Sequence, residues 1–167
     1  MEKYLRLLNP KTTNFESIGG GSHGSITAQD VCAALSYAKL SPVQDLILRM
    51  AALNQNDINF LRESIEPLLK HVARIRVESL DLRPVGERDV QVVVDDPNAM
   101  FIALVEFCKV PADYKPSERN RAAIGGVSRM QIQRKLNPLI DQYKRMLESE
   151  FAIATNKINI QFLKITN

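Results

Sequence analysis

Apolar residues recur at intervals of three and four along most of the chain, which is the spacing of one buried face of an α-helix. The first such stretch follows Thr27, a residue type that caps helix N-termini, with an acidic residue, Asp30, in the first turn. The apolar face of this predicted helix is formed by Val31, Ala34, Leu35 and Ala38.

Three further helices are predicted to begin at a cap residue, at Ser41-Pro42, at Asn56 or Asp57, and at Asp96-Pro97. Their apolar faces are Leu46, Ile47, Met50 and Leu53; Ile58, Leu61, Ile65, Leu68, Leu69 and Val72; and Phe101, Leu104, Val105 and Cys108. Pro67 lies inside the second of these patterns, and we expect it to kink or split that helix because proline removes a backbone donor.

Other segments lack the helical spacing. Four glycines within residues 19–24 predict a linker, so residues 1–25 are interpreted as a flexible arm. Within residues 79–96, Leu82 to Gly86 indicates a loop, whereas Val90 to Val94 fits either a strand or a helical turn. Residues 156–167 are interpreted as a C-terminal tail, in which Ile158, Ile160 and Phe162 alternate as in an edge strand. The predicted fold is mostly α, with residues 26–155 as one helical domain and at most one short β-hairpin or edge strand.

Composition narrows the class of protein. The chain of 167 residues is 45% hydrophobic and 25% charged, as in ordinary globular domains. It contains no apolar run that could span a membrane and no paired cysteine motif for zinc. Its two histidines, His23 and His71, have no nucleophile nearby in sequence. We therefore expect no metal, no cofactor and no enzymatic activity, and a cytoplasmic location.

Positive charge is concentrated in one segment. Between Lys115 and Arg145 there are eight basic residues and two acidic ones, a net charge of +6, whereas the whole chain carries only +3. A basic block on an otherwise acidic chain is typical of a protein that binds a polyanion. The alternative is a solvated helical surface with a chance excess of basic residues.

The segment 117–137 combines this charge with the pattern of a helix-turn-helix. Ala122 or Ala123 supplies a small residue for a close helix crossing, and Gly126 supplies the left-handed turn. Val127 is placed as an apolar plug beneath the turn. Ser128 and Gln131 then form a capping box for a second helix, predicted to end at Asn137-Pro138. The inward positions of that second helix are Ile132 and Leu136.

The outward positions of the second helix suit the major groove of double-stranded DNA. Arginine can bridge guanine, and glutamine or asparagine can bridge adenine. The candidate base-reading residues are Arg129, Met130, Gln133, Arg134 and Asn137. The candidate contacts to the DNA backbone are Lys115, Arg119, Arg121, Ser128 and Lys135.

Four segments resemble the late-gene antitermination proteins of lambdoid phages, the Q proteins of the lambda type. These segments are Ser25 to Leu35, Asn54 to Val72, Phe101 to Cys108, and Gln133 to Asp141. The lambda-type members carry a zinc-binding insertion with two CxxC pairs near the helix-turn-helix. This chain lacks that insertion, so zinc is not expected here.

The resemblance implies a binding function. Such a protein binds a DNA element at a late promoter, engages paused bacterial RNA polymerase holoenzyme with its sigma factor, and suppresses pausing and termination. It acts in the cytoplasm of the bacterial host, and more than one copy per DNA site is compatible with it. Two rival hypotheses remain open: a helix-turn-helix repressor or activator acting at initiation, and a helical interaction protein that binds no nucleic acid.

Overall fold

The computed structural model describes residues 28–53, 56–81 and 95–166, and it contains no strand within these ranges. The prediction of a mostly-α fold is therefore confirmed. The helices are α1 Ala28–Tyr37, α2 Pro42–Ala52, α3 Ile58–Glu63, α4 Ile65–Asp81, α5 Pro97–Cys108, α6 Glu118–Gly125, α7 Arg129–Gln131 and α8 Asn137–Thr166, with a π-helical turn, Ile132–Leu136, between the last two. The predicted arm, the Thr27 cap and residues 82–94 lie outside the described residues.

Local hydrogen bonds explain where these helices begin. The Ser41 hydroxyl accepts from the Gln44 amide, and the Gln44 side chain accepts in return from the Ser41 amide, which completes a capping box at α2. A carboxylate oxygen of Asp57 caps α3, and one of Asp96 caps α5 ahead of Pro97. The predicted helix starts at Ser41, at Asp57 and at Asp96 are confirmed.

The predicted disruption around Pro67 is also confirmed. The helical pattern splits at Ser64, and Pro67 lies in the first turn of α4, where a missing backbone donor is tolerated. Leu61 and Leu68 are fully buried on either side of the split. The prediction for Ile58 was wrong, because its side chain at the start of α3 is 45% exposed.

The chain divides into two compact units, of which the first is Met1–Asn56 together with Leu147–Asn167. Its described part consists of α1, α2 and the C-terminal portion of α8. Its buried core is Val31, Ala34, Ala38, Leu48, Ala52, Ile158 and Phe162. Beside this core, the Gln44 side chain donates to Glu150 at 2.9 Å and accepts from Lys157 at 2.8 Å, so it links α2 to α8.

The C-terminal segment differs from its prediction. Ile158 and Phe162 are buried four residues apart on a helix, whereas Ile160 is 44% exposed. The alternation of apolar residues in this segment predicted an edge strand, and that prediction was wrong. Burial against α1 and α2 selects the helical spacing, because Ile158 and Phe162 then fall on the same face as Ala154.

The second unit is Asp57–Met146 and is arranged around α5. Every residue from Ala99 to Glu106 is buried, which makes α5 the central helix of this unit. Near its start, Tyr143 of α8 donates a hydrogen bond to Asp95 at 2.8 Å. Burial and this hydrogen bond raise the pKa of Tyr143 to about 12. The only charged residue of α5 is Glu106, whose carboxylate pairs with Arg121 of α6 and Lys144 of α8.

Candidate nucleic-acid interface

The turn at the centre of the predicted helix-turn-helix has the expected backbone. Ser117 caps α6, and Gly126 ends it in the left-handed region with φ +63°. The amide of Val127 donates to the Ala122 carbonyl at 3.1 Å, a bond that spans five residues and closes the helix end. The turn Gly126 to Ser128 is thus three residues long, which is typical of a helix-turn-helix.

Gly125 has a role that the sequence did not reveal. A Cβ atom at Gly125 would lie 2.7 Å from Cδ1 and 3.2 Å from Cγ1 of Ile102 in α5. Glycine therefore allows the C-terminal end of α6 to approach the central helix closely. Gly126 is constrained differently, because a Cβ there would meet no atom within 4 Å but would sit on a strained left-handed backbone.

The second helix of the predicted helix-turn-helix begins at Ser128, as predicted. The Ser128 hydroxyl accepts from the Gln131 amide at 3.2 Å, and the Gln131 side chain accepts from the Ser128 amide at 3.1 Å. This capping box starts α7, which continues directly into the π-helical turn. Ile132 and Leu136 are both buried, in agreement with their predicted inward position.

The predicted stop at Asn137-Pro138 is wrong. Asn137 has helical backbone angles, φ −51° and ψ −49°, and its amide donates to the carbonyl of Ile132, five residues earlier. The chain from Arg129 to Thr166 is therefore helical throughout, with one widened turn. A π-helical turn changes the backbone bonding just before Pro138, which in a regular helix would clash with the carbonyl four residues earlier.

Four of the five candidate base-reading residues share an exposed surface on this helix. Arg129, Met130, Gln133 and Arg134 are all exposed, Met130 to 58%. Residues four and five positions apart stay on one face in the widened turn, where backbone bonds span five residues. Arg129 also pairs with Glu118 of α6 at 3.0 Å, and its side chain remains 73% exposed. We name these four residues the reading face.

Asn137 does not belong to the reading face. It is half-buried, and its Oδ1 atom accepts a hydrogen bond from Nη1 of Arg121 at 2.7 Å. Asn137 is thus part of a contact between α6 and the start of α8. This internal hydrogen bond sets Asn137 apart from the other four candidate base-reading residues, whose side chains are exposed.

The candidate backbone-contacting residues separate in the same way. Lys115, Arg119 and Lys135 are exposed and form no ion pair within the described residues. Ser128 is exposed, but its hydroxyl serves the capping box. Arg121 differs from these residues, because its side chain is only 13% exposed and faces the protein interior.

Arg121 belongs to a buried charge cluster centred on Glu106 of α5. Nε and Nη2 of Arg121 donate to the two carboxylate oxygens at 2.7 and 2.9 Å, and Nζ of Lys144 donates at 2.9 Å. The Glu106 side chain is only 1% exposed. We name Glu106, Arg121, Asn137 and Lys144 the Glu106 cluster. Tyr114 donates a longer hydrogen bond of 3.4 Å to the same carboxylate.

The cluster controls the ionisation of its members. Burial alone would raise the pKa of Glu106, but the hydrogen bonds and charges of Arg121 and Lys144 outweigh it and lower that pKa. The hydrogen bond to Glu106 raises the pKa of Arg121. Burial, together with the nearby Glu106 charge, raises the pKa of Tyr114 to about 12. Glu106 is therefore a carboxylate held in its charged form inside the unit.

One sequence signal pointed to this cluster. Glu106 interrupts an otherwise apolar helical stretch, and a carboxylate within such a stretch is buried at a high cost unless it is paired. The partners could not be read from the sequence, since Arg121 and Lys144 lie 15 and 38 residues away.

Other kinds of site find no support in the residues that the structure describes. No group of three histidine, cysteine, aspartate or glutamate side chains among them could hold a metal ion. None of the helices in the described ranges is both long and apolar enough to cross a bilayer. Comparison with family models, with curated proteins and with solved structures gave no match to this chain.

Proposed function

We propose that this chain binds double-stranded DNA through the helix-turn-helix that runs from α6 into α7 and the π-helical turn. The observation that carries the proposal is the reading face, where Arg129, Met130, Gln133 and Arg134 are exposed together on a capped helix. The three-residue turn before it contains a left-handed glycine, which is common in this class of DNA-binding unit.

The chemistry of the reading face fits the base edges of the major groove. Arg134 can bridge O6 and N7 of guanine, and Gln133 can bridge N6 and N7 of adenine. Met130 offers an apolar contact to a thymine methyl group. Arg129 can act only when its exposed pair with Glu118 opens, which costs little for a solvated ion pair.

The exposed cations Lys115, Arg119 and Lys135 are proposed to position the protein on phosphates, where contacts carry affinity rather than sequence information. Arg121 and Asn137 are left out of the DNA contacts, because both are engaged with each other inside the unit.

At a finer level we propose transcription antitermination of the Q kind. The support is the resemblance of four sequence segments to the lambdoid late-gene antitermination proteins. The chain would act without catalysis in the bacterial cytoplasm, bind a DNA element at a late promoter, and load onto paused RNA polymerase holoenzyme that still holds sigma factor.

In-vitro transcription tests this proposal. The template carries the DNA that flanks the gene for this chain, including its late promoter, followed by a terminator. We expect added protein to increase readthrough, and we expect Arg134→Ala to reduce that effect. The matched control is Arg49→Ala, which removes an exposed arginine on α2 that pairs with Asp45 one helical turn away.

Three outcomes separate the hypotheses. Readthrough that depends on promoter-proximal DNA supports antitermination. A change in initiation with unchanged readthrough supports a repressor or activator and overturns antitermination. No effect on either, combined with no affinity for duplex DNA, overturns the DNA-binding function.

A further inference from the structure

The Glu106 cluster joins three helical elements at one buried carboxylate. Glu106 lies on α5, Arg121 on α6, and Lys144 on α8. Arg121 uses two nitrogens on the carboxylate and its third on Asn137, at 2.7 Å. Because the guanidinium group is a rigid planar fork, Arg121 cannot rotate without losing at least one of these bonds. The cluster therefore constrains orientation as well as charge.

Stability alone gives a weak reason for such a cluster. Replacing a buried ion pair by apolar residues of similar volume is often neutral or stabilising, since desolvation of both charges offsets their attraction. Directional hydrogen bonds such as those of the Glu106 cluster can also hold an adjacent binding surface in a defined geometry. Groups that recognise a ligand must stay within about 0.5 Å of the productive arrangement.

The reading face is the surface next to this cluster. Asn137 directly follows the π-helical turn that carries Gln133 and Arg134. Arg121 lies on α6, the first helix of the unit, four residues before the close approach of Gly125 to Ile102. The Arg121 to Asn137 hydrogen bond thus ties the first helix to the reading segment, and Glu106 holds Arg121 in place.

We infer that Glu106 is a positioning residue for DNA recognition: through Arg121 and Asn137 it sets the orientation of the reading face, and so it determines sequence selectivity without touching DNA. This inference rests on the proposed function. It predicts that loss of the Glu106 charge affects specific and non-specific DNA binding differently, which a residue with a merely structural role would not do.

The test uses Glu106→Gln, which keeps the side-chain shape and removes the charge. The unaltered protein first selects its preferred duplex from a random-sequence library. Affinity is then measured for that duplex and for a scrambled duplex of equal length. We expect the ratio of the two affinities to fall about 10-fold or more in Glu106→Gln, comparable to the loss of one good base contact. Affinity for the scrambled duplex should hold or rise, because the net charge increases by one.

Glu63→Gln is the matched control, since it makes the same charge change at an exposed position on α3. Its affinity ratio should stay within about threefold of the parent, as expected for a surface change outside the interface. Arg121→Lys provides a second variant in case Glu106→Gln does not fold. It retains the positive charge but cannot engage both the carboxylate and Asn137, so its ratio should also fall.

The outcomes distinguish failure of this inference from failure of the proposed DNA-binding function. If the parent protein selects a sequence and either folded variant keeps its affinity ratio, Glu106 is only structural and the inference is overturned. If the parent selects no sequence and binds no duplex, the proposed function itself is overturned. A fall in the ratio of selected-duplex to scrambled-duplex affinity in a folded variant supports both the inference and the proposed function.

Discussion

The basic residues between Lys115 and Arg145 fall into two groups. The inward region contains Arg121 and Lys144, and the outward region contains the exposed cations, including Arg119, Arg134 and Lys135. Arg121 and Lys144 point inward and neutralise the buried Glu106, whereas Arg119 and Lys135 are exposed and form no ion pair within the described ranges. All four are counted alike in the net charge of the sequence. Only the first two are held by short hydrogen bonds, so they are expected to govern folding and the last two to govern binding.

This difference shows that a charge excess overstates the surface available to a polyanion. Arg119 and Arg121 lie two residues apart on α6, yet one is exposed and the other is 13% exposed. Two residues on a helix differ by about 200° in direction, given 3.6 residues per turn. Substitutions in the inward region should therefore lower the free energy of unfolding. Substitutions in the outward region should instead weaken DNA binding and change the free energy of unfolding little.

The largest expected effect follows from Arg121→Leu. Among the described residues, it leaves the buried Glu106 with Lys144 as its remaining charged partner, and loss of one member of a buried pair costs about 3–5 kcal/mol. Arg119→Leu removes an exposed arginine from the same helix and should change the free energy of unfolding by about 0.5 kcal/mol or less. Urea denaturation measures both values, and equal costs would contradict the division into two regions.

Gly125→Ala tests how tightly the inward region is packed. The new Cβ would lie 2.7 Å from Cδ1 of Ile102, so we expect destabilisation of about 1–3 kcal/mol from overpacking. Ile102→Val removes that Cδ1 atom and should recover part of the loss in the double variant, although alone it costs about 1 kcal/mol. If the losses of stability in Gly125→Ala and Ile102→Val simply add in the double variant, measured by thermal unfolding, the Cβ atom at position 125 and Cδ1 of Ile102 do not clash.

Arg134→Ala tests the outward region. If Arg134 reads a base, its loss should weaken binding to the selected duplex by about 1–3 kcal/mol and relax sequence preference at one position. The free energy of unfolding should change little, because Arg134 is exposed. Fluorescence anisotropy with matched duplexes measures the affinity. Unchanged affinity would remove Arg134 from the reading face.

The smallest expected effect is the pH dependence of the inward region. The pKa of Glu106 is lowered in the folded protein, so its charge contributes stability above its unfolded pKa, and that contribution is lost as pH falls through the folded pKa. The difference in unfolding free energy between the parent and Glu106→Gln should therefore shrink as the pH falls below the unfolded pKa of a glutamate, about 4.3, and through the lower pKa of the folded state. A difference that stays constant over this range would mean that Glu106 is not held charged, and Glu63→Gln serves as the surface control.

Local chemistry made much of the fold predictable. The cap residues Ser41, Asp57, Asp96 and Ser128 each satisfy backbone donors within three residues, so they mark helix starts without knowledge of the tertiary structure. The left-handed Gly126 is local for the same reason. Helix periodicity likewise identified the buried Ile132 and Leu136.

The remaining features depend on contacts between distant residues. Asn137-Pro138 has the local pattern of a helix stop, but the π-helical turn before it lets the helix continue. Ile158, Ile160 and Phe162 alternate with polar residues as in a strand. Packing of Ile158 and Phe162 against α1 and α2 makes the segment helical instead. Arg121 resembles any other cation of the basic block until its partner Glu106 is placed beside it.

The salt dependence of duplex DNA binding tests the central claim most directly. If the exposed cations of the basic segment, after removal of Arg121 and Lys144 from the count, contact about four phosphates, the logarithm of affinity should fall against the logarithm of salt with a slope of roughly −3 to −4. That slope is the result we predict between about 50 and 200 mM salt. A flat response, or no binding at the lower salt concentration, would contradict the assignment of the outward region as a DNA-binding surface.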